Sequence, residues 1–154
     1  MKPPLCQKKI LNALFAENYD LVKESLNVLL ASIPYDDFEN AAKENILINN
    51  YKFPANEWLY RSTIFAFLRG CNIVVYAEMH TNLGRPDLVI THEGKTWVIE
   101  LKVVHKRKST KKIAEEAIQQ MIDKNYAKPY PGAVCIGLVI DDRVRQVVDI
   151  KFKI

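Results

Sequence analysis

The chain has 154 residues, 49% of them hydrophobic and 26% charged, the balance of one globular domain with a sizeable core, which excludes a disordered or fibrous protein. A net charge of +4 and a pI near 8.9 are compatible with a polyanionic partner, and no stretch approaches the roughly 20 apolar residues of a membrane span. Met1-Lys2-Pro3-Pro4 lacks the apolar core of a signal peptide, and Cys6, Cys71 and Cys135 are odd in number, far apart and without CxxC spacing, so neither a disulfide framework nor a zinc ribbon is expected and a reduced cytoplasm is.

Leu11, Leu14 and Phe15, then Leu21, Val22, Leu26, Leu29 and Leu30, recur at helical spacing with a break near Asn18-Tyr19-Asp20, which predicts two short helices between Leu5 and about Ala31. Ser32-Ile33-Pro34-Tyr35-Asp36-Asp37 ends the pattern, because the residue before a proline is pushed out of the helical region. The expected organisation is an N-terminal helical appendage and linker over residues 1–36 and a main domain over 37–154. A polar stretch from Phe38 to Asn49 is compatible with a further helix. Pro54 and Asn56 then open a helix through Leu68, stopped by Gly70 in the manner of a C-terminal cap. Strand-length apolar runs follow at Ile73 to Met79, Asp87 to Thr91 and Thr96 to Val104. A helix from about Thr110 to Ala127 sets Ile113, Ala117, Met121 and Ile122 on one face and ends at Pro129, Pro131 and Gly132; two strands, Ala133 to Ile140 and Val144 to Phe152, close the chain. From Asn56 onward the order is helix, three strands, helix, two strands: an α/β fold with a mixed sheet, without internal repeat or low-complexity tract.

Chemistry concentrates around a turn at Glu93-Gly94. If these are the two loop residues of a β-hairpin, partners have numbers summing to 187, pairing Thr91 with Thr96, Val89 with Val98 and Asp87 with Glu100. Asp87, Val89, Thr96, Val98, Glu100 and Lys102 then share one face, and Leu88, Ile90, Trp97, Ile99 and Leu101 the other. Like charges directly opposite destabilise a sheet, so the Asp87–Glu100 pair asks for a neutralising cation, and Mg²⁺ accepts one or two carboxylates together with waters. Lys102, two residues along the same face, presents an ammonium to a phosphate or to an attacking water. A Lewis acid, an activated water and positive charge are what phosphodiester hydrolysis needs. Glu57 lies on the helical stripe of Tyr60, Ile64 and Leu68, which turns it inward, where a metal would offset the cost of burying it.

Pro86-Asp87 followed thirteen residues after the aspartate by Glu100-Leu101-Lys102, within this order of elements, resembles the PD-(D/E)xK nuclease superfamily. More closely, the chain looks like the nuclease-like domain that follows an AAA-ATPase-like domain in many bacterial proteins. The matching segments are Ser32-Ile33-Pro34-Tyr35, Asn56-Glu57 with Tyr60, Glu78 with Thr81-Asn82-Leu83-Gly84-Arg85-Pro86-Asp87, Glu100-Leu101-Lys102, and Gln120 with Tyr126. The resemblance implies a restriction-endonuclease-like fold and a metal-dependent nuclease. Asp87 and Glu100 would bind Mg²⁺ or Mn²⁺, the Leu101 carbonyl would add a ligand, Glu57 would complete the site, Lys102 would be catalytic and Gln120 would support it. The implied partner is nucleic acid, DNA before RNA, with a homodimer left open and no membrane. Two departures stand out: Arg61 occupies the place after the tyrosine where a histidine is common, and no ATPase portion precedes the domain in this sequence.

Each feature also has an ordinary reading. Asp87 ends a Gly-Arg-Pro turn, Glu100 and Lys102 suit a solvated strand face, and Glu57 complements a helix dipole. Lys106, Arg107, Lys108, Lys111 and Lys112, next to His105, form an acid-free basic run that could anchor phosphates or be a solvated loop. Glu78 has no firm role, and His80, His92 and His105 lack metal-ligand spacing. The rival function is a non-catalytic module that keeps the nuclease fold to bind nucleic acid or a protein.

Overall fold

The computed structural model describes residues 5–33, 45–48, 51–77, 85–105 and 109–154. Two helices, α1 (Leu5–Phe15) and α2 (Tyr19–Ala31), follow one another with the break where it is expected: the Asn18 side chain accepts the Leu21 N–H at 3.2 Å and caps α2. Next come β1 (Asn45–Ile48) and β2 (Tyr51–Pro54), an antiparallel pair with Ile46 opposite Phe53. The helix expected over Phe38 to Asn49 is therefore a strand at Asn45–Ile48, in keeping with the preference of β-branched and aromatic residues for paired strands; residues 38–44 and 49 lie outside the described residues.

Helix α3 (Ala55–Gly70) ends later than expected. Its left-handed cap residue is Asn72, with φ 63°, and the Ile73 N–H closes the turn on the Leu68 carbonyl at 3.0 Å, whereas Gly70 is still helical. Then follow β3 (Val74–Ala77), β4 (Leu88–His92), β5 (Lys95–Val104), α4 (Thr110–Asp123), β6 (Val134–Asp141) and β7 (Gln146–Lys153). The five strands β3 to β7 pair in sequence order, parallel only between β5 and β6, where α4 makes the crossover. A mixed sheet with helices on both faces is the restriction-endonuclease-like architecture expected.

One face carries the larger core. Leu88, Ile90, Trp97, Ile99 and Leu101 point into it together with Ile10 and Leu14 of α1, Leu26 and Leu30 of α2, and Tyr60, Ile64 and Leu68 of α3. The N-terminal helices, expected as an appendage, are thus one wall of the main core. Asn27 reinforces this contact by bonding both the N–H (2.7 Å) and the carbonyl (3.0 Å) of Val147, where a bulge shifts the β6–β7 register. Cys6 is disulfide-bonded to Cys71, with Cα atoms 5.8 Å apart, contrary to the expectation of unpaired cysteines. Their sequence separation of 65 hid the pairing, and it removes the cysteine argument for a reducing compartment.

Helix α4 covers the opposite face with Ala114, Ala117, Ile118 and Met121; Ile122, expected inward, is 38% exposed because the buried stripe runs through Ile118 instead. The helix lies close to β6. A Cβ on Gly137 would stand 2.8 Å from the Ala114 carbonyl oxygen and 3.1 Å from the Ala117 Cβ, so only glycine permits the approach. Among the described residues no helix is long and apolar enough to cross a membrane.

Candidate metal centre

The hairpin fixes the site. Glu93 and Gly94 both take positive φ, 47° and 77°, the pattern of a type I′ turn, and the β4–β5 pairs run from His92 with Lys95 to Leu88 with Ile99 in the expected register. Asp87 stands immediately before β4, one step beyond the last pair and alongside Glu100. Its Oδ2 accepts the Leu101 N–H at 2.7 Å, which turns the carboxylate toward the backbone of β5. Its Oδ1 faces Arg61 Nη1 of α3 at 3.5 Å.

Glu100 points beneath α4. Gln120 links it to Lys102: the amide Nε2 donates to Glu100 Oε1 at 2.8 Å, and Lys102 Nζ donates to the amide Oε1 at 2.6 Å. This orientation is the only one that gives the carboxylate a donor and the ammonium an acceptor. Lys102 Nζ also lies 3.7 Å from Glu100 Oε1, whereas Glu100 Oε2 is buried and has no hydrogen-bond partner among the described residues. Asp87, Glu100 and Arg61 are only 8%, 6% and 5% exposed, so three charge-bearing groups are packed out of water together.

Burial pushes the Glu100 carboxyl up to about 8, aided by the negative charges of Asp87 and Glu57 and opposed by Lys102. Burial also raises Asp87, against the pull of the Leu101 N–H, Arg61 and Lys102. In the metal-free protein, burial beside a second carboxyl therefore favours the protonated form of Glu100. An orphaned, desolvated carboxylate oxygen beside a second carboxylate is a place where a cation supplies what no N–H does. The pair fits Mg²⁺ or Mn²⁺, which take oxygen ligands and retain waters.

Among the described residues, Glu57, Lys111 and Lys112 join no metal-ligand group with this pair. Glu57 sits in the first turn of α3, and its charge is felt at Glu100. Among the described residues, however, no three of His, Cys, Asp and Glu form a metal-ligand group, so the structure does not assemble Glu57, Asp87 and Glu100 as a ligand set. Lys111 and Lys112 are exposed in the first turn of α4, the helix that carries Gln120. Glu78, Lys106, Arg107 and Lys108 fall outside the described residues.

Sequence reasoning noted Arg61 only as a departure and missed its contact with Asp87, 26 residues away. It also missed a chain of polar contacts at the end of β5. The Tyr60 hydroxyl donates to Asp142 Oδ1 at 2.7 Å, and His105 Nδ1 meets Asp142 Oδ2 at 3.2 Å, over sequence separations of 82 and 37 that leave no local signal.

The chain is 27% identical over 122 residues to an uncharacterized protein in the vnfD 5′ region of Azotobacter chroococcum mcd 1, across 79% of this chain and 21% of that protein, so it spans about a fifth of the relative's length. Residues 55–149, from the first turn of α3 into β7, match the PD-(D/E)XK nuclease superfamily, and with Asp87, Glu100 and Lys102 placed as described the chain belongs to that superfamily.

Proposed function

We propose that this protein is a metal-dependent nuclease that hydrolyses phosphodiester bonds, in DNA before RNA. The observation that carries the reading is the buried Asp87–Glu100 pair, with Glu100 Oε2 unpartnered among the described residues and Lys102 beside it. Asp87, Glu100 and the Leu101 carbonyl are the residues that would hold Mg²⁺ or Mn²⁺, with Glu57 completing the site. The ion would supply Lewis acidity, lowering the pKa of water and offsetting charge on the phosphate.

The chain's own groups do the rest. Lys102 Nζ, half-buried and bonded to Gln120, orients the attacking water and stands where negative charge develops on phosphorus-bound oxygen. Gln120 is a positioning residue, because one amide fixes both Glu100 and Lys102. Lys106, Arg107, Lys108, Lys111 and Lys112 contact neighbouring phosphates and make affinity fall with salt. We also propose that this is the kind of nuclease-like domain that accompanies an AAA-ATPase-like domain in bacterial proteins, which the greater length of its Azotobacter relative allows.

The test is Lys102→Ala assayed with Mn²⁺ on single- and double-stranded DNA and RNA. Cleavage by the parent should vanish in the variant while its metal binding persists; cleavage that survives removes Lys102 from the chemistry. The rival, a non-catalytic binding module, draws support from the absence of a three-ligand group among the described residues. It predicts nucleic acid that binds without metal and stays intact when metal is added.

A further inference from the structure

Arg61 is the buried charge that the proposed chemistry leaves unused. It projects from α3, opposite in sign to the carboxylates, and its side chain is 6% exposed. Nη1 lies 3.5 Å from Asp87 Oδ1, and the other oxygen of the same carboxylate already holds the Leu101 N–H. The contact sets a guanidinium and a carboxylate, groups of opposite charge and matching shape, side by side. Burial also strengthens it, since water screens the pair poorly.

Two consequences pull in opposite directions. Without Arg61, the buried Asp87 carboxylate would keep one backbone donor and the field of Lys102, a costly arrangement, so Arg61 supports the metal-free protein. A divalent cation on Asp87 would meet a fixed positive charge at close range, so Arg61 opposes the metal. We infer that Arg61 is the built-in counter-charge of the metal-free site: it holds Asp87 in place before metal arrives and keeps metal affinity low, so that binding exchanges one cation for another at the same carboxylate. The inference rests on the metal site proposed above.

A merely structural arginine would behave differently. Its loss would lower stability and leave metal affinity unchanged or weaker, because the ligands would be less well held. A counter-charge predicts lower stability together with tighter binding. Arg61→Gln removes the charge and keeps polar reach, and Arg61→Lys keeps the charge. The experiment is calorimetric titration of Mn²⁺ into the parent and both variants, with thermal melts of each in chelator and in Mn²⁺.

Arg61→Gln should bind Mn²⁺ about tenfold or more tighter than the parent, the effect of one unit charge a few ångströms away in a poorly screened site. Arg61→Lys should stay near the parent. In chelator the Gln variant should melt lower, and Mn²⁺ should raise its melting temperature by more than it raises the parent's. If the Gln variant is unfolded in chelator, millimolar Mn²⁺ should restore its fold, and failure to do so overturns the inference. Equal or weaker Mn²⁺ binding by a folded Gln variant also overturns it while leaving the metal site standing. Absence of binding in all three proteins removes the metal site itself and the inference with it.

Discussion

The two faces of β5 show what the same strand can do under two coverings. On one, Trp97, Ile99 and Leu101 interleave with Leu88 and Ile90 and with the apolar stripes of three helices. On the other, Val98 is followed by Glu100 and Lys102, roofed by one helix that brings a glutamine rather than a leucine to the contact. The first face gains stability from area removed from water, a term that depends on neither a protonation state nor a bound metal. The second spends some of that stability on a buried carboxyl with an orphaned oxygen, held in register by the first. Chemistry sits where a rigid apolar frame can support polar groups that are unfavourable alone.

The comparison can be broken most forcefully on the apolar face. Leu14, 1% exposed, belongs to the same core as β5, so Leu14→Ala should cost roughly 2–5 kcal/mol in chemical denaturation. A loss below about 1 kcal/mol, within the range of surface substitutions, would mean that α1 is an appendage after all. On the polar face, Gly137→Ala should cost about 1–3 kcal/mol by overpacking β6 against α4. It should also cost activity, because α4 carries Gln120. A variant that keeps parent stability would show that the helix can move without penalty.

A smaller effect sharpens the electrostatic side. The Glu100 carboxyl is raised from the ordinary 4.5 to about 8, so between these values the folded protein holds a proton that the unfolded chain has lost. Its contribution to stability is therefore complete below pH 4.5 and is lost as pH rises through 8. Melting of the metal-free protein should fall between pH 5 and 8, and Glu100→Gln, which cannot titrate, should flatten that dependence. Smallest of all, Mn²⁺ binding below pH 8 should release protons and tighten as pH rises, read as a buffer-dependent heat. A buffer-independent heat would mean that Glu100 is already ionised.

The hairpin was legible because two independent signals agreed. Period-two alternation placed Glu100 and Lys102 on the face opposite Leu101, and Glu93-Gly94 suited a turn that needs positive φ twice. Gln120 was legible through resemblance, and its double hydrogen bond gives that placement a physical reason. What stayed hidden depends on contacts between elements distant in sequence. Cys6 meets Cys71, Asn27 meets Val147, Arg61 meets Asp87 and Tyr60 meets Asp142 only after α1, α2 and α3 have docked on the sheet. The same docking turned an expected appendage into a core wall. The strand at Asn45–Ile48 escaped because four residues at the end of a polar stretch carry little alternation signal of their own.

Binding of Mn²⁺ measured by calorimetry on the parent protein beside Asp87→Asn and Glu100→Gln tests the metal centre most directly, since it requires no guess about the nucleic acid. Saturable binding by the parent that is lost in both variants is the expected result. Binding of equal strength in all three, or in none, would contradict a metal held by Asp87 and Glu100.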